Sequence, residues 1–369
     1  MAVTLEINQG VGPVSGVPSG TRAVSPAATT TYTLTARSAA GQVATRQVTV
    51  TVEEPIRWVD RYTPADRLYA ITYANGRFVA VGGKGLIVTS TDGINWEDKT
   101  SSVIGGSIRE LNAITYSGGQ FVAIGTNTIV TSPDGVVWTQ RATAFSPLFN
   151  VPISGISCGV SVYDPDVPLY CAVGGNGGFI ASSNDAINWT VRANGILPAG
   201  NYLYSVVVTP YYIAVGGDGA IFTGGFPWSI GWQAVDLPNI STRSWQNLIR
   251  AAGMTFAIAP GEMKFVSNSA VPLDIDWPLD FPAGVGGEIL AVSSDSVSSD
   301  PLYLVARNGG AFNQSNLYVC AITDIVDFYI APLSFVEEPL GQSVKIGAAA
   351  FGNGICVAVG DVILVRSFT

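Results

Sequence analysis

Apolar residues in this chain come in short runs cut by glycine. Phe78-Val-Ala-Val-Gly-Gly83, Phe121-Val-Ala-Ile-Gly125 and Cys171-Ala-Val-Gly-Gly175 are examples, and alternating segments such as Leu68-Tyr-Ala-Ile-Thr-Tyr-Ala74 precede them. Runs this brief, rich in β-branched side chains and bounded by turn residues, predict strands rather than helices. Asn75-Gly76 and Gly118-Gly119 supply the positive φ of tight hairpins, and Gly82-Gly83-Lys84-Gly85 and Gly216-Gly217-Asp218-Gly219 predict a second turn.

The pattern repeats. Leu68–Trp96 returns as Leu111–Trp138, more loosely as Ile153–Trp189 and Leu203–Trp232, and as a skeleton in Leu248–Trp277; further units begin at Ile289 and near Ile346. Trp58, Trp96, Trp138, Trp189, Trp232 and Trp277 follow one another at 38 to 51 residues, the period of a four-stranded propeller blade. The last unit supplies three strands, and the orphan Arg57-Trp-Val-Asp-Arg-Tyr-Thr63, which matches the outer strands after Trp96 and Trp138, is predicted to complete it around Trp58. The expectation is an all-β chain with a seven-bladed propeller of four-stranded antiparallel blades over residues 55–369. Six or eight blades are the alternatives, because the outer strand of the sixth, placed around Asp327-Phe-Tyr-Ile330, is the least marked.

Residues 1–54 differ. Ser25–Ala36 and Gln42–Val52 alternate with period two like a half-buried hairpin. The Thr-Thr-Tyr-Thr-Leu strand followed by Val-Thr-Val resembles the C-terminal half of a bacterial immunoglobulin-like domain. Three strands in so short a segment do not stabilise themselves, so the segment is expected to be completed by another chain, to pack on the propeller, or to be an attachment arm.

Composition removes most chemistry. The chain has 18 basic and 27 acidic residues, a net charge of −9 and no basic run, so nucleic acid is a poor partner. Histidine is absent, which excludes imidazole bases, Ser-His-Asp and Cys-His nucleophiles and the usual zinc sites. No metal and no cofactor is expected. Cys158, Cys171, Cys320 and Cys356 form no Cys-x-x-Cys pair; they read as small buried hydrophobes, with a Cys158–Cys171 cross-strand bond as the alternative. Mean hydropathy is +0.34, yet no window is long and apolar enough to predict membrane insertion. The start shows no signal-peptide pattern.

Ser90-Thr-Asp-Gly-Ile-Asn-Trp96, Ser132-Pro-Asp-Gly-Val-Val-Trp138 and Ser183-Asn-Asp-Ala-Ile-Asn-Trp189 resemble the Asp-box of sialidase-like propellers, with the glycine one residue early or missing. In such a turn a short carboxylate caps backbone N–H groups and the Trp buries between blades. Ser90, Asp92, Trp96, Ser132, Asp134, Trp138, Ser183, Asp185 and Trp189 are therefore expected to be structural. In the resembling enzymes this turn lies opposite the active site. The enzymes' Phe-Arg-Ile-Pro signature is missing, Arg109, Arg243 and Arg250 give no arginine triad, and Glu110 and Glu288 read as solvated charges rather than a catalytic pair. No enzyme activity is expected.

The combination of Phe-Val-Ala-Val-Gly and Thr-Ser-x-Asp-Gly-x-x-Trp repeats resembles propellers of tailed-bacteriophage virion proteins, where they follow immunoglobulin-like modules. A photosystem-assembly propeller family is also similar but carries an Arg-rich patch and targeting segment not evident here. The resemblance implies a decoration or tail-adhesion protein of the virion, made in the host cytoplasm and oligomeric or repeated on a larger assembly. Its arm would hold other virion proteins and its loops would meet a host glycan or protein. A sialidase-like hydrolase or lectin is the alternative, an assembly factor the second. Inter-blade loops are where contact residues belong: Arg109, Glu110, Phe145, Phe149, Arg243, Trp245 and Phe281 are the candidates.

Overall fold

The computed structural model describes residues 3–14, 23–26, 28–50, 58–100, 110–125, 128–141, 152–161, 164–209 and 336–367, and between 212 and 334 chiefly strand segments. The chain divides into two compact units, residues 1–56 and 57–369.

The first unit is one antiparallel sheet of four strands, in the order Gly12–Val14, Val3–Ile7, Thr30–Ser38, Val43–Val50, where the sequence predicted three. The alternation Val3, Leu5, Ile7 supplies the added strand. Thr4, Glu6, Thr31, Thr33, Thr35, Thr45, Gln47 and Thr49 share one face, on which Thr31 and Thr49 hydroxyls meet at 2.9 Å and Gln47 donates to Thr33 Oγ1 at 3.2 Å. Leu5, Ile7, Tyr32, Leu34, Ala44 and Val48 take the other, where Arg46 stands opposite Leu34.

The second unit holds seven successive sheets among the described residues. The first contains Leu68–Ala74, Arg77–Gly82, Ile87–Ser90 and Glu97–Asp98; the second Leu111–Ser117, Gln120–Gly125, Thr128–Ser132 and Thr139–Gln140; the third Ile153–Ser161, Asp164–Gly174, Phe179–Ser183 and Thr190–Asn194. Each is a meander in chain order. Their first strands stand side by side in cyclic order, and Ile346–Gly352 of the seventh packs on Leu68–Ala74 of the first, so the sheets form a ring. The seventh sheet is closed from the front of the unit: Val59–Tyr62 pairs antiparallel with Ile363–Ser367, Val59 opposite Val365. Trp58, 6% exposed, joins a core with Leu364, Leu317 and Val305.

Alternate residues of each second strand feed two inter-sheet cores, as period two requires. Val79 and Val81 pack with Leu111, Phe121 and Val130 of the second sheet, while Phe78 and Ala80 pack with Val357, Val359 and Ile363 of the seventh. A recurrent glycine explains the Val-Gly ending. The innermost strands of the first four, sixth and seventh sheets each carry a register shift near their start. Where that bulge turns the backbone inward, the carbonyl preceding the strand would lie 1.7–2.3 Å from a Cβ on Gly82, Gly125, Gly174, Gly217 or Gly360. Only glycine fits beside it.

One expectation is corrected, and of the two readings of Cys158 and Cys171 the unbonded one holds. The outer strand of the sixth sheet is Val336–Val344, paired with Gln314–Ile322, not Asp327–Ile330, which lies outside the described residues. Glu338 in it accepts from Arg366 Nη2 of the seventh sheet at 2.6 Å, a long-range ion pair that local pattern does not reveal. Cys158 stands opposite Tyr170 and Cys171 opposite Ser157, so the thiols face different inter-sheet cores and both are free. Burial pushes the Cys158 thiol up to about 11.

Candidate functional site

The first strands run the same way: Asn112 Nδ2 near the start of one donates to Ile153 O at the start of the next (2.8 Å), and Gly159 near the end of one abuts Val208 near the end of its neighbour. A meander of this kind gives the ring two rims. One bears the hairpins after the first strand and the Ser-x-Asp turns; the other bears the glycine turns after the second strand and the links between sheets.

On the first rim three turns share one geometry. Ser90 Oγ contacts Asp92 Oδ1 (2.9 Å) and accepts from Gly93 N (2.8 Å), Asp92 Oδ1 accepts from Ile94 and Asn95 N (both 2.8 Å), and Trp96 Nε1 donates to Gly93 O (2.8 Å). Ser132, Asp134 and Trp138 repeat these contacts around Gly135. Ser183 and Asp185 repeat the carboxylate cap on Ile187 and Asn188 N (2.8 and 2.7 Å). The backbone N–H of Asn95, its side-chain amide and the N–H of Ile94 hold Asp92 well below the usual carboxylate range, and two backbone donors lower Asp134 likewise. For Asp185, burial raises the pKa, but the amides of Asn188 and Ile187 outweigh it and bring it to about 2. These carboxylates accept from their own turns.

Each turn also nests on the preceding sheet. A Cβ on Gly93 would come within 2.4 Å of Ile355 Cδ1, and one on Gly135 within 2.8 Å of Val79 Cγ2. Ala186 takes that place in the third turn at φ 58°, where Gly93 and Gly135 have φ 72° and 73°. Trp138 is buried between the first two sheets, and Trp96 and Trp189 pack, partly buried, at the seams on either side.

Among the described residues the second rim carries several polar side chains within reach of one another. Asp66 pairs with Lys84 Nζ at 2.8 Å and accepts from Arg67 N, and the lysine holds its carboxyl below the ordinary range. Tyr69 lies beside Asp66 and Glu110; burial, then the Glu110 and Asp66 charges, raises its phenol pKa. In the fourth sheet Tyr204 donates to Asp218 Oδ2 (3.0 Å), Tyr202 N donates to the same oxygen (3.1 Å), and the two rings stack with centroids 6.4 Å apart. Tyr69, Tyr202, Tyr204 and Asp218 are half-buried. Tyr202, Tyr204 and Asp218 together offer phenol and carboxylate hydrogen bonds beside aromatic faces, suited to a polar ligand or a protein surface, and Tyr69 stands apart from them in the first sheet. Sequence reading missed these residues, although Tyr69 and Tyr204 both follow the leucine that opens the first strand of their sheets.

Of the predicted contact residues, Glu110 is exposed immediately before Leu111. Glu288 lies in the first strand of the sixth sheet, opposite Arg307, and Arg250 in that of the fifth, opposite Thr255. The second and sixth sheets are not neighbours in the ring, so Glu110 and Glu288 belong to separate parts of the rim. Arg109, Phe145, Phe149, Arg243, Trp245 and Phe281 lie outside the described residues. Among the described residues no group of His, Cys, Asp or Glu is arranged to hold a metal ion, and no helix is long and apolar enough to cross a membrane.

No protein-family model matches the chain, and no curated protein matches it. Solved structures do. YCF48 bound to a D1 peptide is 15% identical with a TM-score of 0.60, over 87% of this chain and 99% of that one. A catalytically inactive virginiamycin B lyase from Staphylococcus aureus with quinupristin is 11% identical with a TM-score of 0.62, over 85% and 99%. The extracellular domain of the putative hybrid two-component system BT4673 from B. thetaiotaomicron is 13% identical with a TM-score of 0.59; the match covers 85% of this chain and 40% of that longer one. Such identities speak for architecture, and together with the ring of antiparallel sheets they establish the fold: residues 57–369 form a β-propeller.

Proposed function

We propose that this chain is a non-catalytic structural or adhesive protein of a bacteriophage particle, an Asp-box propeller on an immunoglobulin-like arm. The arm of residues 1–54 anchors it to other virion proteins, and the second rim of the ring meets the host surface or neighbouring subunits. The observation that carries this reading is the arm. Its sheet has a hydroxyl-rich face and a mainly apolar face that bears Arg46, as one half of a sandwich would, and on the latter Leu34 is 36% and Val48 62% exposed. A sheet with this division is suited to completion by other chains. The Ser-x-Asp turns support a structural rather than catalytic role, because their carboxylates bond to their own backbone. That a similarly folded protein is known with a bound peptide supports a protein-facing ring.

The Tyr202, Tyr204 and Asp218 cluster favours a second reading in which the rim binds a glycan, as a lectin does. Deleting residues 1–54 tests the first: the ring is expected to stay folded and to disappear from purified particles, and unchanged incorporation overturns the anchoring role. A glycan array probed with residues 55–369, alongside Tyr204→Ala, tests the second.

A further inference from the structure

The two edges of the arm sheet are unlike. Gly12–Val14 is three residues long and contains Pro13, which has no N–H to offer; both features blunt an edge. Val43–Val50 is eight residues long, without proline, glycine or bulge, with Arg46 its one charge. Every residue from Val43 to Thr49 is exposed.

Its free hydrogen-bonding groups can be assigned. Ser38 N donates to Gln42 O at 2.9 Å, and Arg37 stands opposite Val43 with no shift along the ladder. Hydrogen-bonded pairs in an antiparallel ladder recur every second residue, so Ala44, Arg46, Val48 and Val50 bond inward to Thr30–Ser38. On the far side Asn8 N donates to Thr33 O at 3.2 Å, which fixes the same parity independently. The N–H and C=O of Val43, Thr45, Gln47 and Thr49 therefore point outward.

We infer that this edge pairs antiparallel with the same strand of a second copy of the chain, in the register that sets Gln47 opposite Gln47. Outward groups must meet outward groups, so odd residues face odd ones. Two registers do this with the greatest overlap of the strand. One sets Arg46 opposite Arg46 and is opposed by like charge. The other sets Arg46 opposite Val48, Thr45 opposite Thr49 and Ala44 opposite Val50. Thr–Thr neighbours already occur within the arm, where Thr31 meets Thr49. Residues directly opposite share a face, so the apolar faces of the two sheets become continuous and so do the hydroxyl faces. The edge is thus complementary to itself in hydrogen bonding, and the two Arg46 side chains stand diagonal to each other instead of directly opposed. This joins two propellers through their arms and holds whether or not the assembly is a virion.

Gln47→Cys in the full-length chain tests the register. The Cα atoms of that pair would stand about 5.5 Å apart, within disulfide reach, whereas Thr45 and its own copy are offset by four residues along the strand, about 14 Å. Under mild oxidant Gln47→Cys is expected to yield a disulfide-linked dimer, and Thr45→Cys and the wild type are not. Light scattering is expected to show a wild-type dimer in the micromolar range. Gln47→Pro, which deletes an outward N–H and leaves the inward ladder intact, is expected to be monomeric with an unchanged circular dichroism spectrum. A monomeric wild type, a dimeric Gln47→Pro, or Thr45→Cys cross-linking as readily as Gln47→Cys overturns the inference.

Discussion

A Cβ placed on Gly360 would stand 1.7 Å from the carbonyl oxygen of Lys345, and one on Gly125 equally close to that of Glu110. The obstacle is backbone, which cannot swing aside like a side chain. Gly360→Ala and Gly125→Ala are expected to cost more than about 3 kcal/mol, as overpacking against a fixed neighbour does. Gly76→Ala and Gly119→Ala meet nothing within 4 Å and have only positive φ against them, at about 1–2 kcal/mol. Urea unfolding of the four variants measures the difference.

Ala186 reverses the usual glycine experiment. Ala186→Gly relieves a left-handed alanine, worth about 1–2 kcal/mol, and loses a buried methyl, worth about 0.8 kcal/mol. Stability within about 1 kcal/mol of wild type is expected. Gly93→Ala adds the same strain and a contact with Ile355 Cδ1 at 2.4 Å, and is expected to lose about 2–5 kcal/mol. Thermal unfolding of both variants checks this.

The turn carboxylates set an acid limit. Asp92, Asp134 and Asp185 have folded pKa values below the unfolded value, so the stability they contribute is complete above about pH 4 and is lost as pH falls through the folded values, about 2 for Asp185. Because the three are solvent-exposed, the effect per residue is modest. Replacing all three by Asn is expected to lower stability at pH 7 and to flatten its decline between pH 4 and 2. Urea midpoints taken across that range read the slope.

What was legible in the sequence follows from locality. Val79, Val81 and Phe121 are neighbours of their strand partners within one meander, so the period-two pattern and the recurring Trp disclosed the sheets, and the Trp58 peptide disclosed the seam. The fourth strand of the sixth sheet was missed because Val336–Val344 contains Pro339, Gly341 and two adjacent glutamates, none of which favours a strand. It is held partly by Glu338 reaching Arg366 in another sheet. The Tyr204–Asp218 contact was missed for a related reason: it joins a first strand to the turn after the second, which no motif encodes. Ala186 hid its left-handed turn by lacking glycine.

That Glu338–Arg366 pair is almost enclosed, with side chains 13% and 9% exposed. Glu338→Leu leaves a buried guanidinium without its counter-charge and is expected to cost about 3–5 kcal/mol. Arg366→Met combined with Glu338→Leu removes both charges and is expected to regain most of that loss. A double-mutant cycle by chemical denaturation tests it, and equal losses in the single and double variants would count against the pair.

Closure of the ring by Val59–Tyr62 is the central claim, and two truncations compare it directly. A chain beginning at residue 55 keeps Trp58 and the strand opposite Ile363–Ser367; one beginning at residue 64 loses both. The first is expected to unfold in a single cooperative urea transition at the midpoint of the intact ring. The second forfeits at least the about 3–5 kcal/mol of a buried tryptophan and bares a core strand edge, so an earlier, broader transition with aggregation is expected. Coincident transitions for the two chains would contradict the closed ring.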